Sequence, residues 1–99
     1  MVIRMDIDEL MAASKVIVSR NVDHHVLAAT VIWDSKVSTL YLNWYVDHDP
    51  TEDDEELCEH SLGELLAQFS DVAKAETQYV YTQSVEALAN LEGLVFLRN

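Results

Sequence analysis

A chain of 99 residues is long enough for one globular domain, residues 1–99, and too short for a second. Apolar residues make up 49% of it, which excludes the weakly hydrophobic, highly charged class of disordered chains. The formal net charge of −12 disfavours direct binding to nucleic acid or to an anionic membrane, because both attract basic surfaces.

The single cysteine, Cys58, cannot form an intramolecular disulfide, and no basic region followed by an apolar stretch stands at the N-terminus. No apolar run approaches the ~18 to 20 residues that span a bilayer. The sequence therefore predicts a soluble protein of the reducing cytoplasm.

The first third of the chain predicts a short helix followed by two strands. Asp6 and Glu9 form a capping box, and the helix is expected to end near Ser14. Residues 15–20 are rich in β-branched side chains and predict a first strand. Residues 26–33 are apolar on both sides, as in a central strand.

The next strand, residues 37–46, follows a tight connection and is expected to form an antiparallel hairpin with residues 26–33. Its alternation sends one set of side chains to the core: Leu40, Leu42, Trp44 and Val46. Tyr41 and Tyr45 lie on the other side of the strand. They serve either as cross-strand packing or as anchors in an interface.

A helix is predicted after Pro50, because apolar residues recur at helical spacing at Cys58, Leu62, Leu65, Leu66, Phe69, Val72 and Ala73. Thr51, followed by acids, is one possible start for this principal helix. Ser61 and Glu64 form a second capping box, which would leave the acids in a loop. The sequence leaves both starts open.

The remaining segments predict a strand at residues 76–82, a short helix at residues 84–91 that ends at a left-handed Gly93, and a buried strand at residues 94–97. The element order α-β-β-β-α-β-α-β indicates an α+β domain. We expect a single, mostly antiparallel sheet of about five strands, with one principal helix and two short helices packed on it.

Charge is concentrated in residues 47–64, which hold nine of the 18 acidic residues, and no lysine or arginine occurs between Lys36 and Lys74. These acids are either the solvated start of a helix or a surface for a basic partner. Glu52 and Glu56 form a like-charge pair four residues apart that nothing in the sequence relieves. A basic partner would relieve it and would be attracted by the field.

Metal ligands and catalytic groups are present without a diagnostic spacing. Carboxylates and an imidazole cluster at Asp47, His48, Asp49, Asp53 and Asp54. An EF-hand counted from Asp47 would need glycine and glutamate where Glu52 and Cys58 stand. A zinc site using Cys58, His60 and a distant histidine is an alternative without a specific signal. No nucleophile elbow, P-loop, GxGxxG or HExxH occurs, so we expect no metal site, no cofactor and no enzymatic activity.

The acids between Asp47 and Glu59, together with Tyr41 and Tyr45, resemble the toxin-facing surfaces of small bacterial immunity proteins. Examples are the immunity proteins of contact-dependent growth inhibition and of nuclease bacteriocins, although the colicin nuclease inhibitors are all-helical and this chain is not. The resemblance implies an immunity protein or antitoxin that blocks the substrate-binding cleft of a basic toxin domain, a nuclease, with carboxylates in place of phosphates. The residues expected to bind the toxin are Tyr41, Tyr45, Asp47, Asp49, Glu52, Asp53, Asp54, Glu55, Glu56 and Glu59.

The alternative function is a structural or regulatory interaction domain without catalytic activity. Such a domain would self-associate as a homodimer through an uncovered sheet edge or through the side that carries the tyrosines.

Overall fold

The computed structural model describes residues 5–84 and 86–98, in which two helices cover one face of a mixed four-stranded sheet. The helices α1 and α2 are Ile7–Asn21 and Glu52–Gln68, and a 3-10 helix spans Glu86–Asn90. The strands β1 to β4 are Val26–Asp34, Thr39–Val46, Lys74–Tyr81 and Leu94–Leu97. The expected α+β class is confirmed. Within these residues, no helix is both long enough and apolar enough to cross a membrane.

Helix α1 continues through residues 15–20, so the strand predicted there is wrong. Ser14, where the helix was expected to end, is buried and donates its hydroxyl to the carbonyl of Leu10 at 2.7 Å. Ile17 and Val18 then lie on the same buried side as Leu10. Burial of these β-branched side chains outweighs their modest preference for strands.

The predicted hairpin of β1 and β2 is confirmed, because the two strands pair antiparallel along their whole length. The predicted core side of β2 is also confirmed, since these side chains are fully buried: Leu40, Leu42, Trp44 and Val46. They pack against Leu10 and Ile17 of α1 and against Cys58 and Leu65 of α2. Both helices therefore lie on this side of the sheet, and Tyr41 points to the other side.

The sheet has four strands in the order β3-β2-β1-β4, and the expectation of five mostly antiparallel strands is corrected. Strand β3 pairs parallel with β2. The 17 residues of α2 span about 25 Å, close to the length of β2, so the helix returns the chain to the end where β2 begins. There the N–H groups of Ala73 and Lys74 donate to the carbonyl of Ser38. An alternating pattern predicts a strand but does not indicate whether that strand pairs parallel or antiparallel with its neighbour.

Helix α2 begins after Thr51, so the alternative start at Ser61 is wrong. Ser61 is buried inside the helix and donates its hydroxyl to the carbonyl of Leu57 at 3.2 Å. The buried side of α2 consists of Asp54, Cys58, Ser61 and Leu65. Leu66, predicted in the core, is 39% exposed, because the helix is rotated so that its cap and its small residues face the sheet.

The final segments correct the expectation of two short helices. Helix α1 has 15 residues, and the helix expected at residues 84–91 is a 3-10 helix; Val85 lies outside the described residues. Gly93 has the predicted left-handed backbone, with φ of +72°. A Cβ at this position would collide with the carbonyl oxygen of Val31, whose own N–H donates to the Gly93 carbonyl at 2.8 Å.

Candidate functional site

A capping box between Thr51 and Asp54 fixes the start of α2. The Thr51 Oγ1 accepts from the Asp54 N–H at 3.3 Å, and the Asp54 Oδ2 accepts from the Thr51 N–H at 2.8 Å. The Thr51 hydroxyl lies 3.1 Å from the same Oδ2. Asp54 is only 1% exposed, so its expected place among the solvated acids is corrected. This carboxylate anchors the helix.

His48 joins the cap to the end of β2. Its Nε2 lies 2.7 Å from the Asp54 Oδ2, and its Nδ1 lies 3.0 Å from the Asp47 Oδ1. Because a carboxylate only accepts hydrogen bonds, both ring nitrogens must donate when both contacts are hydrogen bonds. The hydrogen bond to Asp54 raises the pKa of His48, desolvation opposes this increase, and Asp47 adds to it. The arrangement therefore favours a charged imidazolium.

Asp47 lies between two histidines at the open end of the hairpin, His25 before β1 and His48 after β2. The Nδ1 of His25 is 3.0 Å from the Asp47 Oδ1, and the Asp47 N–H donates to the His25 carbonyl at 3.1 Å. Desolvation acts to raise the pKa of Asp47, but hydrogen bonds with His48 and His25, and their charges, lower it overall. Desolvation likewise acts to raise the pKa of Asp54, and hydrogen bonds from Thr51 and His48 lower it overall.

The register of the hairpin places His25 beside Asp47. The pairing of β1 with β2 shifts by one residue between Val26 and Ala28, so that Val26 pairs with Val46. Without this shift Val26 would pair with Asp47. Sequence reasoning missed His25 as a member of the site, although histidine before one strand and Asp47 after its hairpin partner place the two near each other.

The exposed acids at and before the start of α2 form what we call the acidic surface: Asp49, Glu52, Asp53, Glu55, Glu56 and Glu59. None of them pairs with a basic side chain in the described parts of the chain. Two like-charge pairs at four-residue spacing, Glu52 with Glu56 and Glu55 with Glu59, lie within it. The structure thus brings six of the predicted partner-binding acids together on one exposed surface.

The two tyrosines lie apart from the acidic surface, on the side of the sheet that α1 and α2 leave uncovered. Tyr41 lines a cleft of about 360 Å³ that also includes Glu76 and Gln78. Tyr45 packs against a small apolar cluster that contains Leu88 of the 3-10 helix. The tyrosines and the acids of α2, expected to form one surface, are therefore on opposite sides of the sheet.

A second cleft, also of about 360 Å³, opens between the hairpin end and the start of α2. His25, His48 and Asp54 line it, together with Asp23 and Asp53. The histidine and carboxylate network therefore faces a space that solvent or a ligand can enter.

Comparison with known proteins gives one family. A family model described as MafI2 immunity protein matches residues 7–99, which include the hairpin, both helices and the whole acidic surface. No curated protein is similar enough in sequence to count as a match. The family match therefore bears on nearly the complete chain.

Proposed function

The chain belongs to the MafI2 immunity protein family, and from this premise we propose that it binds a basic nuclease toxin and covers the toxin's nucleic-acid-binding cleft with the acidic surface of α2. Membership of the family confirms the resemblance to small bacterial immunity proteins and supports a toxin-neutralising function. The nuclease activity of the toxin, the role of the acidic surface and a cytoplasmic complex are our proposal. The chain then acts by binding and performs no chemistry.

The observation that carries the proposal is the set of six exposed carboxylates without a basic partner in the described chain. Like charges at four-residue spacing destabilise a helix by a few tenths of a kcal/mol per pair, so this surface costs stability in the free protein. Lysine and arginine side chains of a toxin would remove that repulsion. A nuclease supplies them, because it binds the phosphates of its substrate with basic residues.

Attraction over a distance gives the acidic surface a second use. A net charge of −12 produces a strong negative field, and complementary fields raise association rates by about 10- to 1000-fold at low salt. Rapid capture suits an inhibitor that must bind the toxin before the toxin reaches nucleic acid.

The other predicted contact residues have different places in this proposal. Asp54 and Asp47 hold the start of α2 against the hairpin and act by positioning the acidic surface. Tyr41 and Tyr45 lie outside the main contact, because they are on the other side of the sheet. Tyr41→Ala then leaves toxin affinity nearly unchanged, whereas a large loss would extend the contact to the uncovered side.

The first experiment identifies the toxin. The chain is used as bait in a lysate of its source organism at low salt, and bound proteins are eluted with a salt gradient. The captured protein must arrest growth when expressed alone, degrade nucleic acid when purified, and lose both effects when this chain is present. Capture of a toxin without nuclease activity would retain the immunity function and refute the nuclease assignment.

A charge-reversal pair then tests the acidic surface. The triple variant Glu52→Lys, Glu55→Lys and Glu56→Lys is compared with Asp71→Lys, Glu86→Lys and Glu92→Lys, which changes the net charge equally at exposed sites elsewhere. We expect the first variant to weaken toxin binding by at least about 100-fold and to flatten its salt dependence. Equal effects of the two variants would show that only net charge matters.

Self-association is the alternative, and β3 is the feature that favours it. This eight-residue strand lies at the edge of the sheet, and its Tyr81 is 44% exposed. Light scattering over a range of protein concentrations distinguishes the two functions. A mass that doubles with concentration, without affinity for any basic toxin, would favour the homodimer.

A further inference from the structure

We propose that His25, Asp47 and His48 form a binding site for a divalent transition-metal ion of the zinc class. In the sequence, Asp47 and His48 are possible ligands without a diagnostic metal-binding spacing. The hairpin adds His25 from a distant position, which completes a set of two imidazoles and one carboxylate. Metal binding at this site does not depend on toxin binding by the acidic surface.

The distances between the ligand atoms fit a metal with little movement. The Nδ1 atoms of His25 and His48 each lie 3.0 Å from the Asp47 Oδ1. One ligand atom from each residue lies within 4.8 Å of the others. Zinc bonds of about 2.0 to 2.2 Å in a tetrahedron place neighbouring ligand atoms about 3.3 Å apart. Small side-chain movements therefore suffice to bring all three atoms onto one ion.

Asp54 supplies the support that metal-binding histidines commonly have. A histidine that binds a metal through one ring nitrogen usually donates the N–H of the other nitrogen to a carboxylate, which fixes the ring. The Nε2 of His48 lies 2.7 Å from the Asp54 Oδ2, and Asp54 is buried and held by Thr51. With Nε2–H directed at Asp54, the Nδ1 of His48 is the atom that faces Asp47.

The ligand types select the class of metal. Imidazole nitrogens suit zinc, copper, nickel and iron, whereas calcium and magnesium prefer sites made of oxygen ligands. The cleft that His25 and His48 line with Asp23, Thr51 and Asp53 leaves room for water to complete the coordination of a bound metal. When the metal binds, it replaces the hydrogen that each Nδ1 directs at Asp47: the His48 proton is released to solvent, and the His25 proton is released or moves to its own Nε2.

A backbone hydrogen bond holds two of the proposed ligands side by side. His25 and Asp47 are held by the hydrogen bond between their main chains, and the ring of His25 meets the ring of His48 edge-on, with centroids 4.5 Å apart. Because His48 also contacts the cap of α2, a bound metal would tie the hairpin end to the start of that helix. We therefore expect metal to raise the melting temperature.

The test uses the full chain, freed of metal with a chelator and titrated with zinc sulfate in a calorimeter. We expect one zinc ion per chain and no binding of magnesium or calcium at the same concentrations. Cobalt(II) serves as a second probe, because its visible absorption reports nitrogen and oxygen ligands in a tetrahedral site. A chain that binds no zinc, or binds magnesium equally well, would overturn the proposal.

Four variants locate the metal. Asp47→Asn, His48→Gln and His25→Gln are each expected to lower zinc affinity at least about 10-fold, the lower end of the effect of removing even a supporting residue. His60→Gln is the matched control, because His60 is exposed on α2 and pairs with Glu64, away from the proposed ligands. Circular dichroism establishes that each variant is folded, and His25 lies outside the helix cap, so its loss leaves α2 intact.

Zinc binding by these variants decides whether His25, Asp47 and His48 hold the metal. Loss of zinc binding in the three site variants, with normal binding in the His60 variant, supports the site. Zinc binding that survives Asp47→Asn and His48→Gln overturns it. A fifth variant, His24→Gln, tests the neighbouring pair of histidines, His24 and His25, whose ring centroids are 3.9 Å apart. Loss of zinc binding in this variant, with retention in His48→Gln, also overturns the proposal.

Discussion

The two halves of α2 carry glutamates in opposite surroundings. In the second half, Glu64 accepts from the Arg20 Nη2 at 2.6 Å and lies 3.1 Å from the His60 Nε2. In the first half, Glu52, Glu55 and their neighbours in the acidic surface have no such partner in residues 5–84 and 86–98. Charge on α2 is thus neutralised beside α1 and left unpaired on the exposed side of the first half, within the part of the chain that the structure describes.

Under the proposed function, the second half of α2 serves the stability of the fold and the first half serves partner binding. The cross-helix pair of Arg20 and Glu64 joins α1 to α2, so it serves the fold. The exposed acids of the first half form no ion pair with a basic side chain in the described part of the chain, and the start of the helix is held by the capping box of Thr51 and Asp54. Asp54 is the exception in the first half, because it is an acid that faces inward and is buried.

The largest predicted effect on stability comes from removing the carboxylate of Asp54. Asp54→Ala removes the side-chain half of the capping box and leaves the Thr51 N–H and the His48 Nε2 without their acceptor. We expect the free energy of unfolding to fall by about 2 to 3 kcal/mol, measured by urea denaturation followed by circular dichroism. Asp53→Ala, one residue away and exposed, is the control and is expected to change stability by less than about 0.5 kcal/mol. Similar losses in both variants would remove the distinction between anchoring and free acids.

A smaller effect, on the pH dependence of stability, tests the buried Cys58 in the middle of α2. Burial raises the pKa of the Cys58 thiol from 9.0 to about 12, with Tyr79 opposing and Glu59 adding to the shift. Between these values the unfolded chain loses the thiol proton first, so the folded chain binds more protons and stability falls as pH rises.

Urea denaturation of wild type and Cys58→Ala at about pH 8 and about pH 10 isolates this term, and the stability of wild type relative to the variant should fall by about 1 kcal/mol. The variant is its own control, since every other titrating group is retained. A stability difference that does not change with pH would show that Cys58 is not held as a neutral thiol on the buried side of α2.

Much of the fold could be predicted because its signals are local. The alternation in β2 and the cap of α1 each lie within a short window, and the hairpin follows from a tight connection. The strand predicted at residues 15–20 failed because Ile17 and Val18 are held by burial against distant residues, which no local pattern contains. The parallel direction of β3 depends on the length of α2 relative to β2.

The site was predictable in part for the same reason. The concentration of acids before and within α2 is visible in the order of residues alone. The spacing of Thr51 and Asp54 is a capping-box signal that the neighbouring acids obscure. The contact of His25 with Asp47 depends on a one-residue shift in register that the sequence does not signal. Tyr41 could not be placed relative to α2 before it was known which side of the sheet the helices cover.

The smallest predicted effect is a change in the free energy of unfolding when glutamates of α2 are neutralised. We expect this change to have opposite signs in the two halves of the helix. Glu56→Gln with Glu59→Gln removes both like-charge pairs of the first half without changing the first turn, and Glu64→Gln removes the partner of Arg20 in the second half. At low salt we expect the double variant to gain about 0.5 kcal/mol in the free energy of unfolding. The Glu64 variant should lose about 0.5 kcal/mol.

Salt provides the control for these opposite signs. In about 1 M NaCl the Debye length falls to about 3 Å, so both changes should shrink towards zero if they arise from charge. Loss of stability in both variants would mean that the free acids stabilise the helix, and the division between its halves would fail. A double variant that is more stable but binds the toxin more weakly would show that these acids are kept for the partner, at a cost to the fold.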